Sequence, residues 1–296
     1  MAADRIQLSS GKLRLTLCPS IGGSIEVLEW VEGERSRSIM RQSPEPLTNV
    51  LEAASFPLVP YVNRIRGGEF TFRGRTVRIA PNMAGDVSPL HGQGWLNAWT
   101  VESADDSCAV LTYVHKAGEW PWAYEARQEF ALDERGCSVV LSCRNTSEEP
   151  MPCGLGEHPY FPCGPETRID TRVSHVWTID EHVLPVDKVP AEGRYDLRDR
   201  LVCGQDLDHG FGGWGGEARL TDPDWPFRVR ISSGDAHFFQ LYSPAAGGIF
   251  VAEPVSHANA ALNAPEEQWP NLGMQVLDPG ESLSLAMRLD VEPVEP

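Results

Sequence analysis

Short stretches of alternating apolar and polar residues recur along this chain. The clearest runs over 283–291, and shorter ones cover 13–17 and 227–231. Successive side chains of a strand point to opposite faces, so each stretch predicts a strand with one buried face. Further strands are predicted at 110–114, 124–132, 138–144 and 248–253.

A hairpin is predicted between residues 70 and 79. Phe70 and Phe72 share one strand face, Arg73-Gly74 is a turn sequence, and Val77 and Ile79 resume the apolar face. This spacing is typical of two antiparallel strands joined by a short turn.

The chain has few helix signals. Residues 18–52 lack a regular pattern beyond a predicted turn at Gly22-Gly23, and only 258–269 hints at a helix, which Pro265 disfavours. Many short strands with almost no helix predict an all-β sandwich or barrel. Parallel strands would need crossover segments, which are absent, so we expect antiparallel pairing.

Composition narrows the class of partner and the compartment. A formal net charge of -17 argues against nucleic acid and anionic membrane as partners. No apolar stretch is long enough to span a bilayer, and Met1–Arg5 leads directly into the strand pattern, which predicts no signal peptide. The seven cysteines are dispersed without a Cys-x-x-Cys pair, so we expect reduced thiols in the cytoplasm and neither a disulfide framework nor a zinc knuckle.

Three polar residues stand out because of their local sequence. Arg64 follows an apolar stretch, so it either grips ligand oxygens or closes a structural ion pair. His158 precedes Pro159, which interrupts strand pairing, so it either points into a site or bonds a backbone carbonyl. Glu253 continues an apolar strand face, and it is paired, takes part in chemistry or reaches water at the strand end.

Five short motifs, in this order, resemble those of the aldose 1-epimerase (galactose mutarotase) family. They are Asn63-Arg64-Ile65, Leu90-His91-Gly92, His158-Pro159-Tyr160-Phe161, Asp208-His209 and Glu253-Pro254. The resemblance covers most of the chain and implies a single domain over residues 1–296. It implies a large antiparallel β-sandwich of the galactose-mutarotase type, no cofactor and no metal. The implied activity is interconversion of the α and β anomers of a free sugar.

The resemblance also implies the catalytic roles. Glu253 matches the general base that takes the proton from the anomeric hydroxyl, and His158 matches the general acid that protonates the ring oxygen. His91 matches a second histidine that supports the developing charge near the ring oxygen. Opening a sugar ring needs both proton transfers, so a base and an acid must meet at one carbon. We expect Glu253 and His158 on opposite sides of that carbon.

Substrate binding is implied for three further residues. Arg64 and Asp208 match positions that hold sugar hydroxyls, and Asn63 is a neighbouring contact. Trp95 is either a platform for a sugar face or a core residue. Glu253 is followed by Pro-Val-Ser-His instead of the Pro-Gln common in galactose enzymes. The substrate sugar therefore stays open, with galactose, glucose and arabinose as candidates.

Three other functions are compatible with these residues. A hexose-6-phosphate 1-epimerase would need a basic pocket, for which Arg64 and Arg66 are the nearby candidates. A non-catalytic sugar-binding protein would have no need of both the acid and the base. A metal-dependent cupin-like enzyme would use His91 and His158, but their spacing does not match a tight ligand pair. The expected partner is a small-molecule sugar, and the expected assembly is a monomer or homodimer.

Overall fold

A computed structural model of the chain describes residues 5–294, and β-strands dominate it. The strands from the first half are β1 Ile6–Ser10, β2 Leu13–Cys18, β3 Ser24–Glu32, β4 Arg35–Ser38, β5 Pro57–Leu58, β6 Glu69–Phe72, β7 Arg75–Arg78, β8 Thr100–Ala104, β9 Cys108–His115, β10 Tyr124–Asp133 and β11 Gly136–Asn145. Those from the second half are β12 Met151–Cys153, β13 Gly156–Glu157, β14 Tyr160–Pro162, β15 Arg168–Thr171, β16 His175–Ile179, β17 Pro185–Pro190, β18 Arg200–Leu201, β19 Leu207–Gly212, β20 Glu217–Thr221, β21 Phe227–Ser232, β22 Phe238–Ser243, β23 Ile249–Val255, β24 Gln275–Leu277 and β25 Ser282–Pro293.

Two large sheets form the body of the fold. One has nine strands in the order β18-β15-β20-β21-β25-β11-β10-β9-β8, and the other has eight, in the order β17-β16-β19-β22-β23-β13-β5 with β14 also on β23. A four-stranded sheet, β1-β2-β3-β4, and the pairs β12-β24 and β6-β7 complete it. Within residues 5–294 the strand ladders are antiparallel. The predicted all-β class and antiparallel pairing are therefore confirmed.

The inner faces of the two large sheets share one hydrophobic core. Leu285, Met287 and Leu289 of β25 belong to the same buried cluster as Phe239 and Leu241 of β22. Both strands alternate, so every second side chain is buried between the sheets and the remainder face outward. The outward face of the eight-stranded sheet is thus left free to form a site, and the sandwich prediction is confirmed.

The predicted hairpin is present as β6 and β7. Its turn residues Arg73 and Gly74 have positive φ values of 49° and 77°, a conformation that suits glycine. Residues 18–52 are more regular than predicted, because they contain β3 and β4. A β-bulge between β2 and β3 shifts their register, so the apolar positions of β3 do not keep a period of two.

Helical structure is confined to short turns. The region 258–269 holds two 3-10 turns and the start of the single-turn α1, Trp269–Leu272. The 3-10 turns are Val50–Glu52, Arg66–Gly68, Gly94–Leu96, Gly193–Tyr195, Ala261–Asn263 and Glu266–Gln268. No helix in the described part of the chain is long and apolar enough to cross a membrane. Residues 1–4, on which the signal-peptide prediction mainly rests, lie outside the described range.

One pair of cysteines contradicts the prediction of reduced thiols. Cys163 and Cys203 form a disulfide with a Cα–Cα distance of 5.6 Å, whereas the five other cysteines are free. Cys163 follows β14 of one large sheet and Cys203 follows β18 of the other. The two cysteines are 40 residues apart in sequence, so only the folding of the chain brings them together. The cytoplasmic location stays a prediction.

Candidate active site

All six predicted site residues line one pocket on the outer face of the eight-stranded sheet. The pocket has a volume of about 270 Å³, which suits one small ligand. Its lining comprises Asn63, Arg64, His91, His158, Asp208 and Glu253 together with Leu51, Phe56, Met83, Leu90, Tyr160, Gln240 and Tyr242. Residues from distant parts of the sequence therefore meet at a single cavity.

Strand alternation aims three of the polar side chains at this pocket. Asp208 of β19 pairs with Tyr242 of β22, and Gln240 of β22 pairs with Glu253 of β23. Residues directly opposite each other on neighbouring strands lie on the same face of a sheet. The predicted apolar face of β23 is therefore present, and Glu253 is only 2% exposed on it. The alternative in which Glu253 reaches water is excluded.

His158 occupies the interruption between β13 and β14. Its backbone N–H donates to the carbonyl of Phe56 at 3.1 Å, while its ring stacks on the Phe56 ring at a centroid distance of 4.5 Å. Pro159 has no N–H to donate, and strand pairing stops beside the histidine as predicted. The imidazole is thereby fixed by stacking and points into the pocket.

The acid and base candidates touch each other. His158 Nε2 lies 3.3 Å from Glu253 Oε1. The two side chains therefore lie next to each other in the wall of the pocket, and their placement on opposite sides of an anomeric carbon stays a prediction. Glu253 Oε2 and His158 Nδ1 have no hydrogen-bond partner among residues 5–294.

Burial favours the uncharged form of this pair. Desolvation raises the pKa of Glu253 well above its ordinary value; Asp208 adds to this effect and Arg64 opposes it. Desolvation also lowers the pKa of His158 to about 3. These two shifts favour the form of the pair in which Glu253 is protonated and His158 is neutral. Transfer of that proton from Glu253 to His158 leaves the total charge of the pair unchanged.

His91 has a defined role in the hydrogen-bond network. Its Nδ1 accepts the backbone N–H of Asn63 at 3.0 Å, and burial lowers its pKa well below the ordinary value. A neutral imidazole whose Nδ1 accepts must carry its proton on Nε2. His91 therefore offers a fixed N–H donor to the pocket, beside His158 at a ring centroid distance of 5.3 Å.

Arg64 closes a structural ion pair, one of its two alternatives from the sequence, and it also lines the pocket. Its Nε donates to Asp86 Oδ2 at 2.8 Å, and both side chains are nearly buried. The guanidinium still lines the pocket, because the bond to Asp86 uses only one of its five N–H groups. Asp86 thus anchors the arginine from outside the cavity.

A second chain of polar contacts was missed by sequence reasoning. Asn63 Nδ2 donates to Gln240 Oε1 at 3.4 Å, and Gln240 Nε2 donates to Asp208 Oδ1 at 2.7 Å. Burial raises the pKa of Asp208. Gln240 could have been found only by recognising strand β22 and which of its side chains face the pocket. It links two predicted hydroxyl contacts through one side chain.

Trp95 is a core residue and not a sugar platform. It is 2% exposed, and its Nε1 donates to the carbonyls of Leu90 and Gly92. Its ring stacks on Phe56 at 5.5 Å, and Phe56 in turn supports His158. Trp95 therefore acts behind the pocket wall. Among residues 5–294 no His, Cys, Asp and Glu side chains form a group that could hold a metal ion.

Comparisons with known proteins identify similar sequences. The sequence model described as aldose 1-epimerase matches residues 4–290. The uncharacterized protein YphB of Escherichia coli K12 is 33% identical over 296 residues, which cover 96% of this chain and 98% of that protein. The aldose 1-epimerase of the same organism is 26% identical over 140 residues, 45% of this chain and 39% of that enzyme.

Solved structures share the fold across nearly the whole chain. A candidate aldose 1-epimerase from Escherichia coli K12 has a TM-score of 0.89 and 31% identity, covering 98% of this chain and 99% of that one. A galactose mutarotase-like protein from Clostridium acetobutylicum has a TM-score of 0.86 and 18% identity, covering 99% and 96%. The second likeness shows the fold alone. With the family match extending over almost the full sequence, this chain belongs to the aldose 1-epimerase family.

Proposed function

We propose that the protein is a mutarotase that interconverts the α and β anomers of a free, uncharged aldose. The contact between His158 Nε2 and Glu253 Oε1, 3.3 Å apart in the wall of a small pocket, is the observation that carries this proposal. General acid–base catalysis needs two groups that exchange protons with neighbouring atoms, and this pair offers them side by side.

Ring opening starts after the proton of the pair has moved from Glu253 to His158, which leaves a carboxylate and an imidazolium. The Glu253 carboxylate takes the proton from O1 while the His158 imidazolium gives its Nε2 proton to the ring oxygen, and the bond from C1 to that oxygen breaks. The pair is then a neutral carboxyl group and a neutral imidazole, the forms that burial favours. After rotation about C1–C2, the ring closes on the other face of C1. Both protons then return, and no net proton is taken up or released.

The remaining pocket residues hold the sugar. His91 Nε2–H is a donor for the ring oxygen, where negative charge develops as the ring opens. Arg64 and the Asp208–Gln240 pair supply a donor and acceptors for hydroxyl groups away from C1. A ring held at its hydroxyls leaves C1 free to turn, so binding and bond rotation are compatible.

The charges of the site favour an uncharged sugar over a sugar phosphate. Arg64 is the one cationic side chain among the described residues that line the pocket, and Asp86 already pairs with it. Arg66 does not line the pocket; it donates to the Pro185 carbonyl and lies 3.6 Å from Asp180. Since Asp208 is also in the pocket, a phosphate dianion would meet too little positive charge. This weakens the hexose-6-phosphate alternative.

Polarimetry tests the proposal. Freshly dissolved α-anomers of galactose, glucose and arabinose should reach equilibrium faster with enzyme than with buffer alone. Glu253→Gln should lower kcat by about 10²–10⁴-fold. Glu157→Gln, which changes a buried glutamate on the opposite sheet face, is the matched control and should keep activity.

Four outcomes would contradict the proposal. No acceleration for any aldose would exclude mutarotase activity, and full activity in Glu253→Gln would exclude the assigned base. Faster turnover of glucose 6-phosphate than of glucose would favour the phosphate alternative. Calorimetric binding of a sugar without turnover would indicate a binding protein instead.

A further inference from the structure

The loop that carries Arg64 has an unusual mode of support. Three consecutive backbone N–H groups in it donate to side chains instead of to strand carbonyls. Those of Val62, Asn63 and Arg64 are accepted by His257 Nε2, His91 Nδ1 and Asn259 Oδ1, each at 3.0 Å. Asn63 has a positive φ of 55°, so this backbone conformation depends on fixed partners.

Two of these partners come from the segment just after β23. That segment, residues 257–263, follows the strand that carries Glu253 and reaches the Arg64 loop from outside the pocket. His257 and Asn259 do not line the cavity. The position of the sugar-holding arginine is therefore tied to the position of the base strand, through hydrogen bonds that touch no ligand.

We propose that Asn259 is a positioning residue that fixes Arg64 for sugar binding, an inference that rests on the proposed function. Its Oδ1 accepts the Arg64 N–H, and its Nδ2 donates to the Val183 carbonyl at 2.8 Å. Both ends of the amide are occupied, so the side chain cannot turn away from the loop. With Asp86 holding the guanidinium, Arg64 is fixed at its backbone and at its side chain.

The two ends of the Asn259 amide can be separated by substitution. Asn259→Ala removes both hydrogen bonds. Asn259→Asp keeps an oxygen that accepts the Arg64 N–H but cannot donate to Val183. If the bond to Arg64 matters for the site, the aspartate variant should bind sugar like the wild type and the alanine variant should not.

Asn263 provides a matched control on the same segment. Its Oδ1 accepts the N–H of Arg66 at 2.7 Å, and its Nδ2 donates to the Glu69 carbonyl at 2.8 Å. Arg66 lies outside the pocket. Asn263→Ala therefore removes equivalent loop contacts without touching the support of Arg64, and it should lower stability without changing KM.

The experiment measures kcat and KM for the preferred aldose in all three variants, with melting temperatures to verify folding. We expect Asn259→Ala to raise KM about tenfold and change kcat less than about twofold, because Arg64 holds hydroxyls in ground and transition states alike. Asn259→Asp and Asn263→Ala should stay within about twofold of the wild-type KM. In an Arg64→Ala background, Asn259→Ala should have no further effect on KM, since the two changes act through one contact.

Binding of a 1,5-anhydro sugar, which lacks O1 and cannot react, separates the possible failures. Wild-type affinity in folded Asn259→Ala would overturn the positioning role while leaving the proposed function intact. The same KM increase in Asn259→Asp, or an undiminished effect of Asn259→Ala in the Arg64→Ala background, would also overturn it. Absence of both binding and turnover by the wild-type protein would overturn the proposed function and this inference together.

Discussion

Glu157 offers a direct test of how burial acts in this fold, because it is a carboxyl group enclosed without a counter-charge. It is 1% exposed on the inner face of the eight-stranded sheet, and its Oε2 lies 3.5 Å from Ser55 Oγ. Its Oε1 has no partner among the described residues. Replacing it by glutamine keeps the shape and removes the ionisation.

The expected size of the effect follows from its pKa. Desolvation raises the pKa of Glu157 to about 8, against a weaker opposing effect of the Ser55 hydroxyl, whereas a glutamate in the unfolded chain has a pKa of about 4.3. Between these values the folded state keeps a proton that the unfolded state has lost, so stability decreases as pH rises. The decrease is complete above the folded-state pKa. At about 1.4 kcal/mol per unit, it amounts to about 5 kcal/mol in all.

Urea unfolding at pH 5 and pH 9, with the disulfide intact, measures this difference. Wild type and Glu157→Gln should have similar free energies of unfolding at pH 5. Between pH 5 and pH 9 the free energy of unfolding of the variant should rise by about 4 kcal/mol relative to that of the wild type. This is less than the full amount of about 5 kcal/mol, because the wild type has already lost part of its stability by pH 5. Glu125→Gln, at an exposed position of β10, should show no such pH-dependent gain. An equal shift in stability by Glu157→Gln at both pH values would refute a raised pKa of Glu157 in the folded state.

Two further predictions concern the site. Burial opposes both the addition of a second proton to the Glu253–His158 pair and the loss of its proton. We therefore expect kcat to stay constant across neutral pH. A decrease in kcat that begins near pH 6.5, the ordinary pKa of histidine, would contradict this expectation. Trp95→Ala should lower the free energy of unfolding by about 3–5 kcal/mol and also lower kcat, since the Trp95–Phe56 stack supports His158. Chemical unfolding and polarimetry check these outcomes. A kcat of Trp95→Ala equal to that of the wild type would show that the position of His158 does not depend on the Trp95–Phe56 stack.

The sheet framework was predictable where alternation keeps a constant phase. The stretch 283–291 lies within β25, and its partner at 138–144 lies within β11; both are central strands with one face in the core. Strand β3 was missed because a bulge changes the phase of its buried residues. A period-two search finds strands only while the side chains keep alternating.

Most polar residues of the site were predictable, Gln240 being an exception, but their contacts were not. Motif order identified His158 and Glu253, yet their direct contact depends on the register that places β23 beside β13 and β14. Asp86 and Asn259 gave no signal, because each acts on Arg64 through a hydrogen bond that only tertiary structure creates. The same is true of the disulfide between Cys163 and Cys203.

The comparison of two glutamates shows what separates a buried acid from a reactive one. Glu157 and Glu253 lie on neighbouring strands of one sheet and are almost equally buried, and desolvation raises the pKa of both. Glu157 faces the core, where its polar contact among the described residues is the Ser55 hydroxyl. Glu253 faces a pocket and touches an imidazole, so its proton has a destination. Sheet alternation, and not burial alone, therefore determines which of the two carboxyl groups meets an imidazole in the pocket.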